Sequence, residues 1–317
     1  MITMQQNKPT IKVSVVLCTY NGAKYIQEQL DSIINQTYPV YELLIFDDVS
    51  TDNTVEIVNQ YAKKHSFIKV SVNEKNLGYT KNFEQALQAA TGDAVSICDQ
   101  DDVWIKDKLE RMMNAWDTKH PLIYCNSYIF SGEVPQQPKE PVFRMFEGTD
   151  ARKVFLANTI SGHAIVCRKD FVKLIVPFSK DAMYDWWMGV VAAYNGGVQH
   201  YDKVLVYQRS HADNSTVDIL EKYDEDDQKI IKKRRMVKQC RIFMTAPNIP
   251  TADKIFLSTF ADLLEESLYV KFHKKLYRFM VKNRRLLFNF KKKKIVIFSH
   301  LKHSYKWATN HKPLKKQ

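Results

Sequence analysis

The 317-residue sequence is short of several things, and each shortage removes a class of protein. It has five cysteines, Cys18, Cys98, Cys125, Cys167 and Cys240, and no CxxC pair among them. A disulfide scaffold and a structural zinc site are excluded, and a reducing, cytosolic setting is expected. The first four cysteines lie in apolar, strand-like runs, where a thiol packs as a small hydrophobe. Nine glycines and ten prolines are too few for a collagen-like or low-complexity chain. No apolar run approaches the roughly 18 to 20 residues of a membrane-spanning helix. The longest in the C-terminal part are Leu286-Leu287-Phe288 and Ile295 to Phe298. Met1 to Thr10 lack the basic start and cleavage site of a signal peptide, so export is not expected.

Acidic residues are absent from Ser267 to Gln317, and that absence reinterprets the net charge of +12. Such a charge first suggests a partner that is a polyanion. Sixteen of the 47 Lys and Arg fall in that final segment, leaving 31 basic against all 35 acidic residues before it. The body is mildly acidic and the tail strongly basic.

What is present is enough for one large or two ordinary domains, with 45% hydrophobic and 26% charged residues. Short β-branched runs at Val13 to Cys18, Leu43 to Phe46, Ile68 to Val72, Ala94 to Cys98 and Leu122 to Cys125 predict strands. Between them apolar residues recur at helical spacing, as in Ile26, Leu30, Ile33, Ile34 and in Leu109, Met112, Met113, Trp116. Alternation of this kind predicts an α/β fold, a doubly wound and mostly parallel sheet flanked by helices. A Pro-rich loop over 131–150 leads to a second region, with strands expected at His163 to Arg168 and Val204 to Tyr207 and a helix over about 183–195. From about Asp218 the pattern is helical and charged, broken at Pro247 to Pro250.

Ligands on such sheets bind beyond the carboxyl ends of the strands. Polar residues collect there: Thr19-Tyr20-Asn21-Gly22, Asp47-Asp48-Val49-Ser50 and Asp99-Gln100-Asp101-Asp102. In extended backbone, residues two apart point the same way, so Asp99 and Asp101 can face one cation. Oxygen ligands of this kind suit Mg²⁺ or Mn²⁺. The competing reading is an N-terminal cap cluster for the helix that follows, and Ser50 to Asp52 read as caps in the same way. Asp48 is less easily a cap; its carboxylate can accept from a nucleobase N–H or a ribose hydroxyl, and Tyr20 can stack on a base.

Val-Val-Leu-Cys-Thr19-Tyr20-Asn21-Gly22, Asp47-Asp48-Val-Ser50-Thr-Asp52-Asn, Asn76-Leu-Gly78-Tyr-Thr-Lys81-Asn82, Thr91-Gly92-Asp93 and Asp99-Gln-Asp101-Asp102 together resemble the family 2 glycosyltransferases with a GT-A fold. The resemblance covers roughly residues 11–215. Asp99-Gln-Asp-Asp-Val-Trp104 and Tyr184-Asp185-Trp186-Trp187 further resemble the rhamnosyltransferase-like branch. It implies a nucleotide-sugar donor held by Thr19, Tyr20 and Asp48 at the base and by Asp99 at the ribose. It also implies Lys81 near the diphosphate, a divalent Mn²⁺ or Mg²⁺ on Asp101 and His211, and Asp185 as catalytic base. Trp186 and Trp187 offer flat faces for sugar rings and bulk that desolvates Asp185; the alternative is that both are core. His163 is read as a structural histidine, with acceptor or phosphate contact as the other possibility. The Gln-x-x-Arg-Trp signature of processive synthases does not follow Asp185, so single-sugar addition in cell-surface polysaccharide synthesis is implied, onto a glycan or lipid-linked acceptor.

These readings divide the chain into a catalytic domain over 1–217, with its nucleotide-sugar half at about 11–125 and its acceptor half at about 126–217, and a helical, basic extension over 218–317. In Lys271 to Lys294 basic residues interleave with Phe272, Leu276, Tyr277, Phe279, Met280, Leu286, Leu287, Phe288 and Phe290. That composition predicts an amphipathic helix on an anionic membrane, and so a peripheral protein on the inner face of the cell membrane. The alternative is a helix whose apolar face packs on the catalytic domain. No nucleic-acid motif accompanies the tail, and no nucleic-acid partner is expected. Two other functions compete. A nucleotidyltransferase would need a Gly-rich basic loop after the first strand, where Thr19 to Gly22 is short and has no basic residue before Lys24. A non-catalytic membrane-surface adaptor would have no use for Asp101 and Asp185.

Overall fold

The computed structural model describes residues 10–211, 224–292 and 296–314. Among these, eight strands form one sheet: β1 (Val13–Thr19), β2 (Val40–Asp47), β3 (Ile68–Val72), β4 (Ala94–Cys98), β5 (Val103–Trp104), β6 (Leu122–Phe130), β7 (Ile165–Arg168) and β8 (Val198–Arg209). Their order is β3-β2-β1-β4-β7-β6-β8-β5. The first four in that order are parallel, β7 runs antiparallel to both β4 and β6, and β6 and β8 are parallel again.

Crossovers between the parallel strands are α1 (Ile26–Ile34), α2 (Thr54–Lys64) and α3 (Tyr79–Ala89), and α4 (Lys108–Ala115) precedes β6. Because both faces of the sheet are covered, β1 is buried along nearly its whole length rather than at alternate positions. Its side chains still alternate between two cores. Val13, Val15 and Leu17 join Leu30, Ile33, Val58 and Met112 on one face, while Val16 joins Leu44, Phe83 and Leu87 on the other. The strands expected at Val13 to Cys18, Leu43 to Phe46, Ile68 to Val72, Ala94 to Cys98 and Leu122 to Cys125 are all present, with helices between them. The second region differs in its edges: a 3₁₀ turn over Gly162–Ala164 precedes β7, so His163 lies on the turn, and β8 is longer than Val204 to Tyr207.

The remaining helices are α5 (Val172–Ile175), α6 (Tyr184–Tyr194), α7 (Glu225–Phe243), α8 (Thr251–Ser267), α9 (Lys274–Lys282), α10 (Arg284–Leu287) and α11 (Val296–Ala308). The expected domain edge at 217/218 lies outside the described residues. The helical part is present, and it shares the core of the sheet: Val237, Phe243, Phe260, Leu276, Met280, Leu287 and Phe288 all belong to the cluster that contains Val16 and Leu44. Phe260 and Phe279 stack with ring centroids 5.6 Å apart. Of the apolar residues in Lys271 to Lys294, Leu276, Met280, Leu287 and Phe288 are thus buried against the catalytic domain, as in the alternative reading, whereas Phe272 stays exposed. Among the described residues no helix is long and apolar enough to cross a membrane.

Candidate active site

The loops after β1, β2 and β4 meet in a crevice of about 780 Å³. Thr19, Tyr20, Asp48, Asp99, Asp101, Asp185 and His211 all line it. Lys81 does not; its ammonium is 2.8 Å from Glu84 one turn along α3, and Lys24 lines the crevice instead.

Backbone hydrogen bonds fix the loops to one another. The N–H groups of Asn21, Gly22 and Ala23 donate to Ser50 Oγ, Thr54 Oγ1 and Asp52 Oδ2 at 2.8, 2.8 and 3.0 Å, and Thr51 N–H donates to Asn21 Oδ1. Ser50 is therefore a latch rather than a helix cap. Asp52 serves both purposes, accepting also from the N–H of Thr54. Gln100 clasps Tyr20, accepting its N–H at 2.9 Å and donating to its carbonyl at 3.1 Å. A Cβ on Gly22 would meet Gln100 Oε1 at 2.3 Å, so a larger residue there would displace the Gln100 amide from Tyr20. Val49 is held at φ 68, a left-handed conformation that a β-branched residue rarely adopts. The Asp48 carboxylate beside it accepts the N–H groups of Leu77 and Gly78 and the Asn73 amide, each at 2.8 Å. These fix the carboxylate at the crevice wall. Thr19 donates its hydroxyl to Asp47 at 2.7 Å, while Tyr20 remains half exposed.

Asp101 Oδ2 and His211 Nε2 lie 2.8 Å apart, from loops 110 positions distant in sequence. Arg209 ties the two together: its guanidinium donates to the carbonyls of Asp101 and Gly132 and to Glu28, and its N–H donates to Asp102 Oδ1 at 3.1 Å. Burial, then the charge of Asp99, pushes the Asp101 carboxyl up. Asp102, 2% exposed, is pushed up to about 7, mainly by burial, and its Oδ2 has no hydrogen-bond partner. Carboxylates this crowded are short of positive charge. An oxygen–nitrogen pair at crevice depth is a donor set that fits a divalent cation such as Mn²⁺ or Mg²⁺.

His163, expected as a structural histidine, lies at the crevice among the carboxylates. Its Nδ1 is 3.5 Å from Asp99 Oδ2 and 3.6 Å from Asp102 Oδ2, and it is 4% exposed. Burial alone would lower its pKa, but the Asp102 and Asp99 charges outweigh it and raise it to about 9. Four groups, Asp102, His163, Arg209 and Gln100, thus organise the site without having been assigned a site role from the sequence. Only the polar run at the strand ends signalled two of them.

Asp185 opens α6 at the crevice wall. Burial pushes its carboxyl up to about 6, against the backbone N–H groups of Trp186, at 2.7 Å, and of Gly162, which favour the charged form. Trp186 and Trp187 do not face the crevice. They are 6% and 7% exposed and donate their indole N–H to the carbonyls of Val154 and Ile175 at 2.6 and 2.9 Å. The expectation that they stack on sugar rings is corrected. Their hydrogen bonds and burial hold the start of α6, and Asp185 with it, in place.

The profile described as Glycosyl transferase family 2 matches residues 14–176. The chain belongs to that family. Among relatives, TuaG of Bacillus subtilis (strain 168), a glycosyltransferase named for teichuronic acid biosynthesis, is 41% identical over 101 residues. That match spans 32% of this chain and 40% of TuaG, so it covers less than half of either protein. An uncharacterized glycosyltransferase of Haemophilus influenzae is 25% identical over 245 residues, 71% of this chain and 73% of that protein. Among solved structures, S. aureus TarS 1–349 in complex with UDP-GlcNAc superposes with a TM-score of 0.59 at 21% identity, covering 93% of this chain and 91% of that one. The mannosyltransferase PcManGT of Pyrobaculum calidifontis, in complex with GDP-Man and Mn²⁺, gives 0.56 at 20% identity over 79% and 69%. At these identities the likeness establishes the fold, which is of the GT-A type with a helical C-terminal part.

Proposed function

We propose that this glycosyltransferase transfers a single hexosyl or deoxyhexosyl unit, with inversion, from a nucleoside-diphosphate sugar to a hydroxyl of a glycan or lipid-linked acceptor in cell-surface polysaccharide synthesis. One observation carries the reading: the latched strand-end loops and the half-buried Asp185 share a single crevice. The nucleotide-sugar complexes of TarS and PcManGT and the name of TuaG support the donor class and the setting.

In this reading Tyr20 and Asp48 receive the base and Asp99 the ribose. Asp101 and His211 hold Mn²⁺ or Mg²⁺, which when bound offsets the charge developing on the leaving diphosphate. Asp185 takes the proton of the acceptor hydroxyl as the C1–O bond forms and the diphosphate departs from the opposite face. A base so placed is worth roughly 10² to 10⁴ in rate. Its raised pKa suits that task, since a carboxylate near 6 is still ionised at neutral pH and more basic than an ordinary one. Family membership sets the nucleotidyltransferase reading aside, and the retained Asp101, His211 and Asp185 argue against an inactive adaptor.

The test is turnover of a panel of nucleoside-diphosphate sugars with Mn²⁺ or Mg²⁺, the product's anomeric configuration being read by NMR. Metal-dependent release of one nucleoside diphosphate and an inverted product are expected. Retention of configuration, or turnover of no donor, overturns the reading.

A further inference from the structure

We infer that the outward face of α11, with the adjoining Phe272, docks the protein on an anionic lipid surface. The inference does not depend on the transfer reaction, and it uses residues other than those of the Lys271 to Lys294 pattern except for Phe272 and Lys271.

Two observations define the surface. The first is exposure. On α11 the inward positions His300, Ser304 and Ala308 are buried, whereas Ile297 is 50%, Phe298 71% and Tyr305 55% exposed. Phe298, Lys302, Tyr305 and Lys306 recur at helical spacing, so they form one stripe with exposed lysines between the rings. Phe272, 43% exposed, extends the stripe sideways, its ring 5.6 Å from that of Tyr305, and the exposed Lys271 precedes it. Large exposed rings gathered on one helix face, Phe298 and Tyr305 with Phe272 beside them, are uncommon on a surface that meets only water.

The second observation is charge. No acidic residue occurs after Glu266, and Lys302 and Lys306 are exposed within the stripe. Exposed rings interspersed with lysines fit a bilayer interface with anionic headgroups, where rings enter the acyl boundary and ammonium groups stay among phosphates. A protein partner would have to supply a matching acidic and apolar groove. Nucleic acid would satisfy the lysines and give Ile297 nothing.

Flotation of the full-length protein on phosphatidylcholine vesicles, with and without phosphatidylglycerol, tests this. Binding is expected only with phosphatidylglycerol and should fall with salt. Lys302→Gln with Lys306→Gln should weaken partitioning about 25-fold, at roughly 1 kcal/mol per basic residue near the surface. Ile297→Ser with Phe298→Ser should weaken it by about tenfold or more. Ile255→Ser removes an equally exposed aliphatic from α8, 62% exposed, and should change nothing. Circular dichroism and melting temperature show that each variant is folded. Wild-type partitioning by either double variant, equal binding to neutral vesicles, or binding to tRNA with none to anionic vesicles overturns the inference.

Discussion

Replacing Asp185 by Asn should reduce activity and raise stability together, and the structure sets both magnitudes. The folded carboxyl titrates at about 6 against an ordinary 3.8, chiefly because burial penalises the charged form. With the folded value the higher of the two, the fold takes up a proton between them. The group's contribution is most favourable below about 4, declines as pH rises towards 6, and stays at its least favourable above that. The difference corresponds to about 3 kcal/mol at neutral pH. Asn is neutral and can keep the Trp186 N–H on its carbonyl oxygen, so Asp185→Asn should recover up to about 3 kcal/mol in urea denaturation at pH 7. Wild-type and variant should converge near pH 4. Turnover should fall by roughly 10² to 10⁴ with nucleoside-diphosphate affinity unchanged. In the wild type, kcat should lose about tenfold between pH 7 and pH 5 as the base is protonated, and the variant's residual rate should show no such limb. Residual activity with the same acid limb would refute Asp185 as the base. Unchanged stability at pH 7 would refute the burial argument.

Asp101→Asn and His211→Gln should each weaken Mn²⁺ affinity by about tenfold or more, read by isothermal titration, with melting temperature little changed. His163→Gln removes the cation beside a buried carboxylate and should cost about 3 kcal/mol at neutral pH by urea denaturation, most of it restored by adding Asp102→Asn. Trp186→Ala should cost about 3 to 5 kcal/mol, because it empties a buried site and leaves the Val154 carbonyl without its donor.

The nucleotide-binding half was legible because strand and helix periods differ and each strand stops in polar residues at the same end of the sheet. Asp48, Asp99 and Asp101 stood out for that reason, and all three line the crevice. Side-chain direction was not legible. Trp186 and Trp187 follow Asp185 in sequence, yet helix geometry turns them into the core. Lys81 sits in the first turn of α3, where Glu84 is within reach and the crevice is not. The roles of Arg209 and His163 depend on contacts across loops far apart in sequence, and neither residue differs locally from an ordinary surface cation or core histidine. The packing of the tail was not legible for a related reason. Its composition is amphipathic whether the apolar face meets lipid or the remainder of the protein, and only the position of Phe260 and its neighbours decides.

The central claim is that one crevice binds a nucleoside diphosphate together with a cation held by Asp101 and His211. Calorimetric titration of the full-length protein with UDP, GDP and dTDP, each with and without Mn²⁺, tests it most directly. Binding of at least one nucleotide that requires Mn²⁺ and is lost in Asp101→Asn is predicted; binding of none, or binding indifferent to both the ion and Asp101, would contradict the account.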